Sequence, residues 1–232
     1  MASRVDTTVI PNRVFIGCPW KIVRGKYLKA VRKLEHTYPL HFVLIGRERD
    51  QRAEELLNLI KKNLFSSTMA VFDVTYGNAN VSLEYGLADA RDMDRVLYLN
   101  IHQSNKKKSV QDTAIIADLA GQKRKQYTNE AALQRMLTEF SKDHVFTKRF
   151  EGALKKAVRN VKSRHTKRRY RTLAIKILRY FDEKEGVRRA DLVAFLQGEG
   201  YKTKEIEFLL KAFRKTDLLY ISTGGRATVE IM

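Results

Sequence analysis

Two carboxylates, eleven residues apart, are the groups of this chain best suited to chemistry. Asp73 directly follows an apolar stretch, residues 69–72, of the kind that forms a buried strand. A loop rich in asparagine and glycine comes next, and Glu84 lies near the start of a predicted helix. Ligands of open α/β folds bind at the carboxyl edge of the sheet. Acids at that edge suit chemistry at a sugar carbon, where a carboxylate attacks or stabilises positive charge.

Apolar runs alternate with amphipathic segments around these acids. Strands are predicted at residues 13–17, 41–46, 69–73, 95–101 and 113–117, and helices at about 25–36, 49–64, around Glu84 and at 128–140. This alternation predicts an α/β fold with a doubly wound, mostly parallel sheet in a flavodoxin-like layout. The segment before Tyr127, GQKRKQY, is predicted to be a basic loop, and Thr128 is the expected cap of the next helix.

The last third of the chain has a different pattern. Helices are predicted at about 166–183, 189–197 and 204–215, the last with Thr203 as its N-cap, and a hairpin around Gly224 and Gly225 follows. Three helices and a hairpin are the plan of a small winged helix-turn-helix domain. We therefore expect an α/β domain over residues 1–145, a basic linker helix over 146–165 and a winged helix over 166–232.

The chain is strongly basic, with 45 Lys and Arg against 26 Asp and Glu, a net charge of +19. Residues 151–232 alone carry +10, and eleven basic side chains without an acid lie between Lys155 and Arg179. This charge predicts a polyanionic partner, and a protein-docking winged helix or a solvated basic face are the alternatives. The predicted nucleic-acid contacts are Arg168, Arg169, Lys202, Lys204, Lys211, Arg214, Lys215 and Arg226.

Several classes of protein fit the sequence poorly. It has no apolar run long enough for a transmembrane helix, and its first residues lack the apolar core of a signal peptide. We therefore expect a cytoplasmic protein without a membrane partner. Its one cysteine, Cys18, excludes an intrachain disulfide, and its five histidines show no ligand spacing. We expect neither a metal nor another cofactor.

The segments VFIGCPW, VFD and NVSLEYGLADA together resemble the nucleoside 2-deoxyribosyltransferase-like group, which is related in layout to TIR-like nucleotide-processing domains. The resemblance covers about residues 13–140. It implies that Glu84 is the nucleophile at the anomeric carbon and that Asp73 contacts the ribose or base. It also implies that Asn78, Asn80 and Ser82 line the sugar or phosphate pocket. The first loop departs from the group, because Cys, Pro and Trp stand where small and hydroxyl residues are common.

Three residues of the first loop complete the predicted substrate site. Gly17 ends the first strand at the ligand edge of the sheet, and Trp20 follows in a position where an indole ring can stack on a base. Lys21 lies beside it and is suited to holding a phosphate. The alternative for Trp20 is a packing role, and exposed basic residues are common throughout this chain.

These features predict an N-glycosidase or deoxyribosyltransferase-like enzyme whose substrate is a nucleotide or NAD. The layout also resembles toxic effectors of bacterial anti-phage systems, including those tethered to a retron reverse transcriptase and its small DNA. That resemblance implies a nucleic acid or a reverse transcriptase–nucleic acid complex as partner, and the related enzymes imply a homo-oligomer. The alternatives are a nucleotide-sensing DNA-binding regulator without catalysis, and a scaffold that grips a nucleoprotein complex.

Overall fold

The computed structural model of the protein describes residues 8–46, 53–104, 123–181, 187–222 and 228–232. The chain forms two compact units, Met1–Leu34 with Phe42–Glu139 and Glu35–His41 with Phe140–Met232. The predicted division at residues 145 and 165 stays a prediction.

The first unit is built on a five-stranded parallel sheet with the strand order β2-β1-β3-β4-β5. This order confirms the predicted α/β fold class and its doubly wound, flavodoxin-like layout. Its elements are β1 (Ile10–Gly17), α1 (Arg24–Glu35), β2 (His41–Val43), α2 (Ala53–Phe65), β3 (Ser67–Asp73), α3 (Ala79–Asp89), β4 (Asp94–Asn100), α4 (Ile101–Ser104), β5 (Arg124–Tyr127) and α5 (Glu130–Asp143).

The centre of the sheet lies at β1 and β3, which pair in parallel with Gly17 opposite Phe72. The chain leaves β1 towards β2 and then returns to β3 on the other side of β1, so the direction of winding reverses at this point. Helices α2 and α3 contact each other and both central strands. Phe15, Phe72 and Tyr85 pack between these elements and form the buried core that holds α3 in place.

Strand β5 lies where a basic loop is predicted, so that prediction is wrong. It pairs in parallel with β4, and Tyr127 is its one buried side chain. Charged and polar residues are common on edge strands, where they discourage pairing with another chain, and they conceal the strand in the sequence. The helix that follows is capped by Asn129 rather than Thr128, since the Asn129 side chain accepts a hydrogen bond from the Ala132 amide at 2.9 Å. The strand predicted at 113–117 lies outside the described residues.

The second unit consists of helices with a small antiparallel sheet, as expected for a winged helix-turn-helix. The sheet has the order β6-β8-β7. The elements are α6 (Val145–Ala157), α7 (Arg164–Arg179), β6 (Val187–Arg188), α8 (Arg189–Gly198), α9 (Thr203–Arg214), β7 (Leu219–Ile221) and β8 (Thr228–Ile231). None of the described helices is long and apolar enough to cross a membrane.

Residues 146–165, predicted to form one basic linker helix, do not form a continuous helix. Helix α6 ends at Ala157, and α7 starts anew at Arg164 because the Ser163 hydroxyl caps it by accepting from the Thr166 amide. Helix α6 packs against α9, with the rings of Phe150 and Phe213 6.0 Å apart. It is therefore part of the core of the second unit.

The N-cap of α9 is Lys202 and not the predicted Thr203. The Glu205 carboxylate accepts a hydrogen bond from the Lys202 backbone amide at 2.9 Å, as the N3 acid of a capping box does. Because the third residue of the helix supplies this cap, the N-cap position itself needs no side-chain acceptor and a lysine is tolerated there.

Candidate functional site

A cavity of about 470 Å³ lies where the winding of the sheet reverses. Its volume is within the range of ordinary small-molecule sites, and its place follows the rule for open α/β sheets. Residues after β1 and β2, one side of α2 and the start of α3 form its walls. The lining residues are Cys18, Trp20, Ile45, Gly46, Leu56, Leu57, Ile60, Asn78, Asn80, Leu83 and Glu84.

Glu84 is the one carboxylic acid that lines this cavity among the described residues. The residue is only 9% exposed, and its Oε2 atom has no hydrogen-bond partner within the described part of the chain. Burial penalises the charged form and raises the pKa of the carboxyl group to about 8. Burial therefore favours the protonated form of Glu84 at pH 7.

Local packing brings the Glu84 side chain to this position. The Asn78 side chain caps α3 by accepting hydrogen bonds from the amides of Asn80 and Val81 at 3.0 and 3.3 Å. The next residue after the acid, Tyr85, meets the ring of Phe72 edge-on at 5.6 Å. The helix is thus fixed at its start and along its buried face, and Glu84 projects towards the ends of the central strands.

Gly17 makes room for the acid rather than lining the cavity. A Cβ atom at this position would lie 2.4 Å from the Glu84 Oε2 atom and 2.7 Å from the Phe72 ring. Real Cβ atoms do not approach other atoms so closely. Gly17, predicted to bind substrate, therefore acts on the site through the space it leaves for the carboxyl group.

Asp73 does not line the cavity, which removes geometric support for its predicted catalytic role. It is fully buried, and its Oδ2 atom accepts hydrogen bonds from the hydroxyls of Tyr27 at 2.9 Å and Tyr127 at 2.5 Å. Its Oδ1 atom accepts from the Thr75 amide at 3.0 Å. Burial raises the pKa of Asp73, although these donors oppose the shift. Through these hydrogen bonds the acid at the end of β3 is joined to α1 and β5.

Two of the three residues predicted to line the sugar or phosphate pocket do line the cavity. Asn78 and Asn80 lie on its wall, and Asn80 is exposed. The third, Ser82, donates its hydroxyl to the Asn78 carbonyl at 3.1 Å and is not on the wall. Lys21 is exposed on the surface and also lies outside the lining. Among the described lining residues there is no Lys or Arg.

Trp20 lines the cavity with its indole ring held between two neighbours. The Arg24 guanidinium lies over the ring, 3.5 Å from its centroid. The far edge of the ring lies against Gly46, where an added Cβ would be 1.4 Å from the indole carbon Cη2. The residue is 37% exposed, so part of the ring remains available to a ligand.

The sequence does not single out the apolar wall of the cavity. Leu56, Leu57 and Ile60 follow the ordinary spacing of a helix core and are predicted to be buried. Leu64 is buried as expected, whereas these three are only partly covered and line the cavity. Apolar residues at helical spacing form the same sequence pattern whether they pack against other side chains or line a cavity. The pattern therefore cannot predict such a wall.

The predicted nucleic-acid contacts are mostly exposed. Arg169 is the exception, because it makes two hydrogen bonds to Glu205, at 2.7 and 3.0 Å, and one to the Gly200 carbonyl. These hydrogen bonds from Arg169 are the main reason why the pKa of the Glu205 carboxyl group is lowered to about 2. Arg226 lies outside the described residues. The exposed members are Arg168, Lys202, Lys204, Lys211, Arg214 and Lys215.

The described residues contain no group of three His, Cys, Asp or Glu side chains placed to hold a metal ion. Comparison with known proteins assigns no family, since no protein-family model matches the chain and no curated protein is significantly similar to it. The resemblance to deoxyribosyltransferase-like enzymes therefore stays a hypothesis.

Proposed function

We propose that the first unit cleaves the N-glycosidic bond of a nucleotide or of NAD, with Glu84 as the catalytic carboxyl group. One observation carries the proposal: a buried acid, with an oxygen that no described residue satisfies, lies on the wall of a ligand-sized cavity at the reversal point of the sheet. A buried polar atom without a partner costs free energy. A substrate that supplies the partner, such as a sugar with developing positive charge, explains why the atom is kept.

The raised pKa of Glu84 is compatible with this chemistry. A positively charged base, such as the nicotinamide of NAD, lowers the pKa of the carboxyl group when it enters the cavity, because an opposite charge favours the ionised form. The resulting carboxylate stabilises or attacks C1′ while the bond from C1′ to nitrogen breaks and its electron pair leaves with the base. Water then adds its oxygen to C1′ and releases a proton; if the carboxylate has bonded to C1′, that bond breaks at this step and its electron pair returns to Glu84.

The second unit gives the enzyme a nucleic-acid partner in this proposal. Five exposed Lys and Arg side chains on or beside α9 and one on α7 support it, together with the charge of +10 on residues 151–232. A nucleic acid or a reverse transcriptase–nucleic acid complex holds the enzyme inactive in the cytoplasm. Released from that partner, the glycosidase acts as a toxin in anti-phage defence. Assembly of several copies is part of the same proposal.

The test is incubation of wild type and Glu84→Gln with a panel of nucleosides, nucleotides and NAD, followed by mass spectrometry of released bases. We expect wild type to release one base and the variant to lose at least a hundredfold in rate, as removal of a catalytic group usually costs. The matched control is Glu54→Gln, which removes an exposed carboxylate from α2. Equal activity of wild type and Glu84→Gln would refute the proposal.

A second candidate is a nucleotide-sensing regulator that binds without turnover. It is favoured by the placement of Asp73, because most glycosidases use two carboxyl groups and only one lines the described cavity. In this case ligands bind with an affinity that Glu84→Gln alters, yet no free base appears. Thermal shift measurements with the same panel distinguish the two functions, since they detect binding irrespective of turnover.

A further inference from the structure

The exposed side of α9 carries a regular stripe of side chains. Lys204, Phe208, Lys211 and Lys215 are spaced four, three and four residues apart, so they lie one above the other on the helix. The buried residues of the helix, among them Leu209 and Phe213, lie on the opposite side. All four members of this α9 stripe are exposed.

The α9 stripe has an uncompensated positive charge. The two acids of the helix are engaged elsewhere, since Glu205 pairs with Arg169 and Glu207 pairs with Arg189. In the described part of the chain, no ion pair is formed by the three lysines of the stripe. The stripe is therefore complementary to a polyanion such as a phosphate backbone.

Phe208 is unusual in the middle of such a stripe. It is 39% exposed, and its ring is 5.1 Å from that of Tyr170 on α7, so the two rings form a small aromatic platform at the surface. Phosphates alone give no reason for an exposed phenyl ring between lysines. Proteins that bind single strands combine basic grooves with aromatic side chains on which unpaired bases stack.

We propose that the α9 stripe binds single-stranded nucleic acid, with the lysines at the phosphates and Phe208 stacked on an unpaired base. This inference rests on the proposed function, which includes a nucleic-acid partner, and it specifies that the partner is single-stranded. In a duplex, the faces of the bases are stacked on one another and are closed to an aromatic ring. A strand, loop or end with free bases offers both the charge and the base faces that the stripe matches.

Phe195 on α8 provides a matched control within the same unit. It is 42% exposed, and its ring lies 4.7 Å from that of Tyr180, so its exposure and aromatic neighbour are similar. Its helical neighbours four residues away, Asp191 and Glu199, are acids, whereas Phe208 lies between Lys204 and Lys211. It therefore has the same kind of exposed ring in an acidic setting.

The experiment measures binding of the full chain to labelled oligonucleotides by fluorescence anisotropy. The probes are a single strand of about 12 nucleotides, a strand of equal length without bases, and a duplex of the same sequence. We expect the strand with bases to bind about 10-fold more tightly than the abasic strand. Phe208→Ala should abolish that difference, Phe195→Ala should leave it, and Phe208→Tyr should restore it. Release of base by the first unit should be unchanged in all three variants.

Three outcomes would overturn the inference. One is equal affinity for the single strand with and without bases, another is tighter binding of the duplex, and the third is an equal effect of Phe208→Ala and Phe195→Ala. The salt dependence separates this failure from that of the proposed partner. If all probes bind in a salt-sensitive way, and Lys211→Gln reduces the slope of log affinity against log salt concentration by about one, the proposed nucleic-acid partner is supported. Only the stacking of Phe208 on a base is then refuted. No salt-sensitive binding at all refutes both.

Discussion

Replacing Glu84 by glutamine should make the first unit more stable at pH 8 while it abolishes the proposed activity. The pKa of Glu84 is about 8 in the folded protein, whereas the ordinary value for glutamate is 4.5. Between these two values the folded state binds more protons than the unfolded state, so stability falls as pH rises through this window. Glutamine does not ionise, so the stability of the variant does not fall in this way as pH rises.

The magnitude follows from the shift. At about 1.36 kcal/mol per unit of pKa, the full loss for wild type is about 5 kcal/mol. Between pH 5 and pH 8 only part of the window is crossed, and the stability of Glu84→Gln relative to wild type should rise by about 3 to 4 kcal/mol. A constant cost of the amide group cancels when the two pH values are compared within each protein. The titration of other groups, such as the histidines, cancels when that change is compared between the variant and wild type.

The assay is urea unfolding at pH 5 and pH 8, followed by tryptophan fluorescence. Trp20 is the single tryptophan of the chain and lines the cavity, so the signal reports on the first unit. Glu54→Gln should change the free energy of unfolding by less than about 0.5 kcal/mol at either pH, since its side chain is exposed. A relative stability of Glu84→Gln that is the same at both pH values would refute the burial of an unpaired acid at this position.

Three further substitutions test the construction of the site. Gly17→Ala should cost about 1–3 kcal/mol in urea unfolding and lower the rate of base release, because its Cβ would lie 2.4 Å from the carboxylate of Glu84; a neutral effect on both would contradict the close approach. Tyr127→Phe should cost about 1.5–3 kcal/mol, measured in the same way, because it removes a hydrogen bond to the buried acid that ends β3; full stability would show that this bond contributes nothing. Gly46→Ala should move the Trp20 ring and shift its fluorescence emission, because the new methyl group would overlap the indole; an unchanged spectrum would count against the observed contact.

Local patterns were sufficient for the apolar strands of the sheet and for singling out Glu84 as a candidate. The strands around Phe15, Phe72 and Leu97 are apolar runs bounded by turns, and such runs have few alternatives to a buried parallel strand. Glu84 is recognisable because it follows a strand, a loop and a helix start in order. The polar edge strand β5 lacks such a pattern, since one buried tyrosine in four residues does not distinguish a strand from a loop.

The different surroundings of the two acids were decided only by the tertiary structure. Asp73 and Glu84 look alike in sequence, as carboxylates at one edge of a sheet. Asp73 accepts hydrogen bonds from the hydroxyls of Tyr27 and Tyr127, which are 46 and 54 residues away in the sequence. Nothing among the described residues donates such a bond to the Glu84 Oε2 atom. Hydrogen bonds between distant segments form only when the chain is folded, so the sequence alone could not show which of the two carboxyl groups has partners within the protein.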